Sequence, residues 1–258
     1  MSGFVSLVGA GLGDPELLTV KAARRLETAE LVLYDALVEA AVVETARHAK
    51  RLCVGKRARQ QAFDQSKINR LMIRGAQRGQ KVVRLKSGDP FVLGRGGEEA
   101  LALSAAGVAF EFIPGITSAV AAPGLAGVPI THRGVSSAFL VLSGHSEYTF
   151  GPLLNDVAPH SMTVIVLMGL AARVKISVRL RQRGWRANTP TAIILSAGTS
   201  RMQTWTGTLD ELGQVNLSTN SKEPGTIVIG DVVGLRSVHE EGLATIHLAE
   251  SITLGQNG

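Results

Sequence analysis

The chain has 258 residues, of which 45% are hydrophobic and 19% charged, with a mean hydropathy of +0.19; this is too apolar for a disordered chain and ample for one or two α/β-sized domains. The longest apolar stretch, Met162 to Ala172, is well short of the roughly 20 residues that a membrane-spanning helix needs, so a transmembrane protein is not expected. Lys plus Arg exceed Asp plus Glu by 27 − 21 = +6, a field that attracts anions; a small polyanion fits as well as nucleic acid, and so does a merely solvated basic surface.

In chain order, Phe4 to Val8 is a short β-branched and apolar run that ends in Gly9-Ala-Gly-Leu-Gly-Asp-Pro15, and a helical pattern follows from Glu16 to Ala29. Strands at 31–34, 51–54, 81–85 and 109–113 then alternate with helices at 38–49, 65–78 and 98–106, the pattern of an open α/β sheet. A small-residue helix opens after Pro114-Gly-Ile-Thr-Ser118, and the texture changes beyond Arg133-Gly134. Strands at 138–142, 162–167, 191–195 and 226–233, with helices at 172–183 and near 209–212, predict a second α/β domain. The expected division is 1–134 and 135–258.

Three glycine-rich turns carry the chemical signals. The first, Gly9 to Pro15, falls short of a dinucleotide fingerprint because Asp14 stands where the third glycine would be; a carboxylate there opposes a docked pyrophosphate, and a tight structural turn explains the segment equally well. The second, Lys86-Ser-Gly-Asp-Pro-Phe-Val-Leu-Gly-Arg-Gly-Gly-Glu-Glu99, follows a strand. Its Asp89 suits either a ligand donor or a helix cap, and Arg95 suits either bidentate carboxylate recognition or an ion pair with Glu98 or Glu99. The third, Pro114 to Ser118, offers amides and two hydroxyls, or an ordinary cap. Pro129-Ile-Thr-His-Arg133 adds imidazole and guanidinium near the expected hinge.

The single cysteine, Cys53, allows no internal disulfide, and the dispersed histidines lack ligand spacing, so no metal site is expected. No export pattern is visible at the start of the sequence, and the expected compartment is the cytosol. A Gly-x-Ser-x-Gly elbow and a P-loop are both absent, which weakens acyl transfer and nucleotide hydrolysis.

Taken together, Val8 to Lys21, Leu33-Tyr-Asp-Ala-Leu37, Val54-Gly-Lys-Arg57, Val83 to Phe91 and Pro114 to Ser118 resemble the tetrapyrrole methylase family, in matching order and spacing from residue 4 to about Arg236. The resemblance implies two α/β domains with S-adenosylmethionine in the cleft between them, a homodimer, and no nucleic-acid or membrane partner. The activity it implies is double C-methylation of a polyanionic tetrapyrrole, uroporphyrinogen III, to precorrin-2, on the way to siroheme or cobalamin. Alternatives are a methylase of the same fold acting on a later corrinoid or another acceptor, and a cofactor sensor without catalysis. Carried over by position, cofactor contacts fall on Leu12, Ser87, Gly88, Asp89, Val92, Thr117, Ser118, Met168, Ala197 and Gly225. Catalytic roles fall on Asp35, Lys56 and Arg95, and substrate contacts on Arg95, Glu98, Arg133, His145 and Met168. The chain departs from the family pattern at Leu12, usually proline, and at Ser87, usually glycine.

Overall fold

The computed structural model describes residues 3–55, 63–216 and 223–236. Two compact units emerge: Met1–Ser118 with Gly198–Ser200, and Ala119–Ala197 with Arg201–Gly258. The division at Ser118 precedes residue 134, which lies inside the second unit.

The first unit is built on strands β1 (Phe4–Gly9), β2 (Leu31–Tyr34), β3 (Lys50–Cys53), β4 (Lys81–Lys86) and β5 (Phe110–Ile113). They form one sheet in the order β3-β2-β4-β1-β5, and every neighbouring pair is parallel. Parallel strands need crossovers, which are supplied by α1 (Val20–Glu27), α2 (Ala40–Glu44), α3 (Gln65–Gln77) and α4 (Gly96–Ala105). Helices on both faces bury both faces of the strands. One layer joins Val8, Val32, Val83 and Leu85 to Ala22, Leu26 and Val42, and the other joins Val5, Leu7, Leu33 and Val82 to Ile68, Met72 and Leu103.

Helix starts follow the expected capping chemistry. The Thr19 hydroxyl accepts the Ala22 amide at 3.2 Å, and the Asp64 carboxylate accepts that of Lys67 at 2.6 Å. The Thr19 cap explains why the helix expected from Glu16 begins at Val20: residues 15–17 form a separate 3-10 turn, itself capped by Asp14 through Glu16 N–H at 2.8 Å. The carboxylate that counted against a pyrophosphate therefore closes a turn. The helix expected over 38–49 is regular only over α2.

The second unit carries α5 (Ser118–Leu125), β6 (Phe139–Ser143), α6 (Glu147–Asp156), β7 (Thr163–Leu167), α7 (Arg173–Gln182), β8 (Pro190–Leu195), β9 (Gln203–Thr208), α8 (Leu209–Leu212) and β10 (Gly225–Ile229). Its sheet runs β6-β7-β10-β8-β9; β6 and β7 are parallel, whereas β10 is antiparallel to both β7 and β8, and β9 to β8. The core gathers Val164, Val166, Ile193, Ile227 and Ile229 against Phe150, Leu154, Ile176, Leu180 and Trp185. Two elements were not expected. The edge strand β9 alternates Thr204, Trp205, Thr206 and Gly207, and only the Trp205 side packs on the core; α6 holds Gly151 and Pro152, both poor helix formers. The strand expected to reach 233 stops at Ile229 because Gly230 turns at φ 146°.

Candidate functional site

Because all five strands of the first sheet run the same way, every loop after a strand opens on one edge, the edge where ligands bind in open α/β sheets. The loops after β1, β2, β4 and β5 therefore bring Leu12, Asp35, Ser87 to Asp89, Val92 and Thr117 to that edge.

These loops are tied to one another by backbone. Gly11 and Gly88 exchange N–H···O bonds of 3.2 and 2.8 Å, both at left-handed φ values of 64° and 65°. Gly9 and Gly115 pack backbone to backbone: a Cβ on Gly9 would lie 2.4 Å from the Cα of Gly115. Asp89 locks the second turn to the third, since one carboxylate oxygen accepts Phe91 N–H at 2.8 Å and the other accepts Gly115 N–H at 3.1 Å. It caps no helix, because α4 begins only at Gly96. Gly88 lies against the third turn without crowding it: a Cβ there would be in ordinary van der Waals contact with Ser118 N and Thr117 Cα, both at 3.9 Å. That combination of rigid glycine turns and adjoining backbone amides suits a small ligand that offers hydrogen-bond acceptors. Ser87 is exposed and Leu12 half-buried, so neither departure from the usual residue is forced into the core.

Arg95 forms a fork with Glu98, its Nε donating at 2.8 Å to one carboxylate oxygen and its NH2 donating to the other. Both side chains are more than half exposed, at 57% and 55%. The hydrogen bond from Arg95 lowers the Glu98 pKa, and the same bond raises that of Arg95. Lys56 lies outside the described residues.

In the second sheet β7 and β8 point the same way, both being antiparallel to β10. The ends of β6, β7 and β8 and the start of β10 consequently share one edge, which carries His145, Met168, Ala197 and Gly225. Met168 and Ser196, each the first residue past its strand, adopt left-handed φ values of 56° and 47°, which L-residues rarely take. Met168 is exposed at 52%. Arg133 is not brought to this edge. It sits in the loop bridged by His132 and Ser136, and Ser136 meets Thr163 at the starting end of β7.

Arg84 and Lys86, which the sequence reading did not single out, gather around Asp35 with Glu99, which it had offered as a partner of Arg95. Arg84 and Lys86 occupy one face of the central strand β4, and both are buried together with Glu99 of α4. Arg84 donates from NH2 to Asp35 Oδ1 and from Nε to Glu99 Oε1 at 2.8 Å; the Lys86 ammonium lies 3.4 Å from Glu99 and 3.8 Å from Asp35. Burial opposes the Arg84 charge, but the two carboxylates outweigh it and raise the guanidinium pKa. The signal was present in Lys81-Val-Val-Arg-Leu-Lys86. Cations alternating with Val and Leu in a central strand cannot reach water on either face, so they require buried carboxylates.

Residues 5–213 match the family model of the tetrapyrrole (corrin/porphyrin) methylases. The chain is 40% identical over 238 residues to the uroporphyrinogen-III C-methyltransferase of Methanocaldococcus jannaschii, covering 91% of this chain and 98% of that one. It is 42% identical over 238 residues to a siroheme synthase of Pseudomonas aeruginosa, of which it spans 51%, about half the length. Among solved structures it resembles the uroporphyrin-III C-methyl transferase of Thermus thermophilus complexed with S-adenyl homocysteine, with a TM-score of 0.78 at 40% identity over 90% of this chain and 100% of that one. Among the described residues no helix is long and apolar enough to cross a membrane.

Proposed function

The chain belongs to the tetrapyrrole methylase family, and from that premise we propose that it is an S-adenosylmethionine-dependent C-methyltransferase that methylates uroporphyrinogen III twice to give precorrin-2, in siroheme or cobalamin biosynthesis. The observation that carries this reading is 40% identity across nearly the whole length of the M. jannaschii enzyme. The glycine turns of the first sheet, tied together by Asp89 and by the Gly11–Gly88 backbone hydrogen bonds, support it.

When bound, S-adenosylmethionine supplies a methyl group on positive sulfur, which an electron pair of the acceptor carbon displaces as a neutral thioether; the ring, left positive, then sheds a proton. In this reading Leu12, Ser87, Gly88, Asp89, Val92, Thr117 and Ser118 of the first unit hold that molecule, as do Met168, Ala197 and Gly225 of the second. Asp89 contributes by fixing the loops, since both its oxygens are already engaged by backbone. Arg95, Glu98, His145 and Met168 face the tetrapyrrole; Arg133, in the loop at the opposite end of the second sheet, is not among them. The Arg95–Glu98 pair is solvent-exposed, and exposed ion pairs are worth only about 0–1 kcal/mol, so a substrate carboxylate displaces Glu98 at little cost. Arg95 acts as an electrostatic stabiliser because guanidinium stays protonated. Asp35 and Lys56 complete the catalytic set. The positive net charge favours capture of a polycarboxylate. The functional form is a homodimer in the cytoplasm, a reducing compartment that suits a chain with one cysteine.

The test is incubation with methyl-labelled S-adenosylmethionine and enzymatically made uroporphyrinogen III. Two labelled methyl groups per ring are expected. Binding without transfer points instead to a sensor, and transfer only to another acceptor points to a different methylase. Sedimentation at micromolar concentration tests the dimer, which a 27.2 kDa species overturns.

A further inference from the structure

We propose that Arg84, buried in the first sheet, is a positioning residue for methyl transfer that acts through Asp35, with Glu99 and Lys86 as its anchors. The inference rests on the reading of Asp35 as a catalytic group.

Four ionisable side chains converge here, two cationic and two anionic. Arg84 is 2% exposed and Glu99 0%; Lys86 is 7% exposed, whereas Asp35 is 30% exposed. Asp35 is thus the one member that reaches solvent, and it does so at the ligand-facing edge of the sheet. Every nitrogen of the Arg84 guanidinium is engaged. Nε meets Glu99, NH2 meets Asp35, and NH1 donates to the carbonyls of Leu33 at 3.3 Å and Leu85 at 3.2 Å. Glu99 is held in turn by Gln65 of α3, whose amide donates to it at 3.0 Å. One oxygen of the Asp35 carboxylate is therefore held from inside the protein by a planar guanidinium whose other nitrogens are fixed by Glu99 and two backbone carbonyls. Among the described residues its second oxygen meets Lys86, at 3.8 Å, and it is the oxygen offered to a substrate N–H or a developing positive charge.

Stability alone does not account for this arrangement. Buried ion clusters can often be replaced by apolar residues of similar volume at no loss, because desolvation offsets the attraction. A fixed carboxylate facing a ring that becomes positive during reaction is a use that apolar packing cannot serve.

The experiment uses the full chain with uroporphyrinogen III and S-adenosylmethionine. It compares Arg84→Lys, Asp35→Asn and the double variant for kcat, tetrapyrrole KM, calorimetric affinity for S-adenosylhomocysteine, and thermal midpoint. Arg84→Lys keeps the charge and loses the fork. We expect kcat to fall at least about tenfold, the scale of an ångström-sized misplacement, with S-adenosylhomocysteine affinity held within about twofold. The double variant should be no slower than Asp35→Asn alone. Losses that multiply in the double variant, unchanged turnover in Arg84→Lys, or a matching loss of S-adenosylhomocysteine affinity each overturn the inference while the unaltered chain still methylates. If the unaltered chain fails to methylate uroporphyrinogen III, the functional reading falls and the inference falls with it. Should Arg84→Lys not fold, Glu99→Gln, which frees the Arg84 Nε, is read by the same criteria.

Discussion

The Asp89 carboxylate accepts the backbone N–H of Gly115 at 3.1 Å, so a side chain in the loop after β4 sets the position of the loop after β5. Replacing it by alanine leaves that amide and the Phe91 amide without their partner. Asp89→Ala is expected to lower stability by about 1–3 kcal/mol and to weaken S-adenosylhomocysteine binding by about tenfold, as loosened loops must be reordered on binding. Urea titration and calorimetry measure the two effects. Undiminished affinity would show that the loops do not hold the ligand.

Gly115 tolerates no side chain: a Cβ would lie 2.3 Å from the Gly88 carbonyl oxygen and 2.6 Å from Gly9 Cα, both backbone atoms that cannot swing away. Gly115→Ala should cost about 2 kcal/mol or more, in the range of overpacking strain. Gly97→Ala is the control, since no atom lies within 4 Å of its Cβ position. Similar thermal midpoints for the two variants contradict the packing described.

Glu111 is drawn down to about 2: partial burial pushes its pKa up, but hydrogen bonds from Arg25, Lys21 and Ser6 outweigh that. A depressed carboxylate stabilises the fold above its unfolded value of 4.5, and that contribution is lost as pH falls through the folded value near 2. Glu111→Gln should therefore be less stable than the parent by roughly 1–3 kcal/mol at pH 7, with the gap closing between pH 4.5 and 2. Denaturation at several pH values decides it, and a gap that widens in acid is the contrary result.

Arg95→Lys preserves the cation and loses the bidentate geometry seen with Glu98. Turnover is expected to drop at least about tenfold, with little change in the thermal midpoint because the pair is exposed. Steady-state kinetics on the tetrapyrrole read the effect, and wild-type turnover removes the role proposed for this residue.

Met168 holds a left-handed backbone at φ 56° while half exposed, a conformation that costs a non-glycine residue about 1–2 kcal/mol. Met168→Gly should raise the thermal midpoint yet reduce methyl transfer, since the side chain at the strand end is removed. A variant that is both no more stable and fully active argues that the strain has no functional purpose.

Much of the architecture was legible in the sequence because its signals are local. Phe4 to Val8 and Lys81 to Leu85 alternate or run apolar and then meet glycine turns, so the strands of the first sheet and its turns follow from periodicity and from glycine's access to positive φ, whereas the residues assigned to its loops came from the family resemblance. Motif order pointed to the family for the same reason. Other features depended on partners distant in the chain. The edge strand β9 carries too few buried residues to announce itself and exists because β8 offers it an unpaired backbone edge. The division after Ser118 follows from which contacts form, and composition shifts only farther along. Arg84 could be seen as a cation in a central strand, but its neutralisation by Asp35, across a neighbouring strand, and by Glu99, from the following helix, required the fold. Burial makes a charge depend on every group around it, and no local stretch of sequence contains those groups.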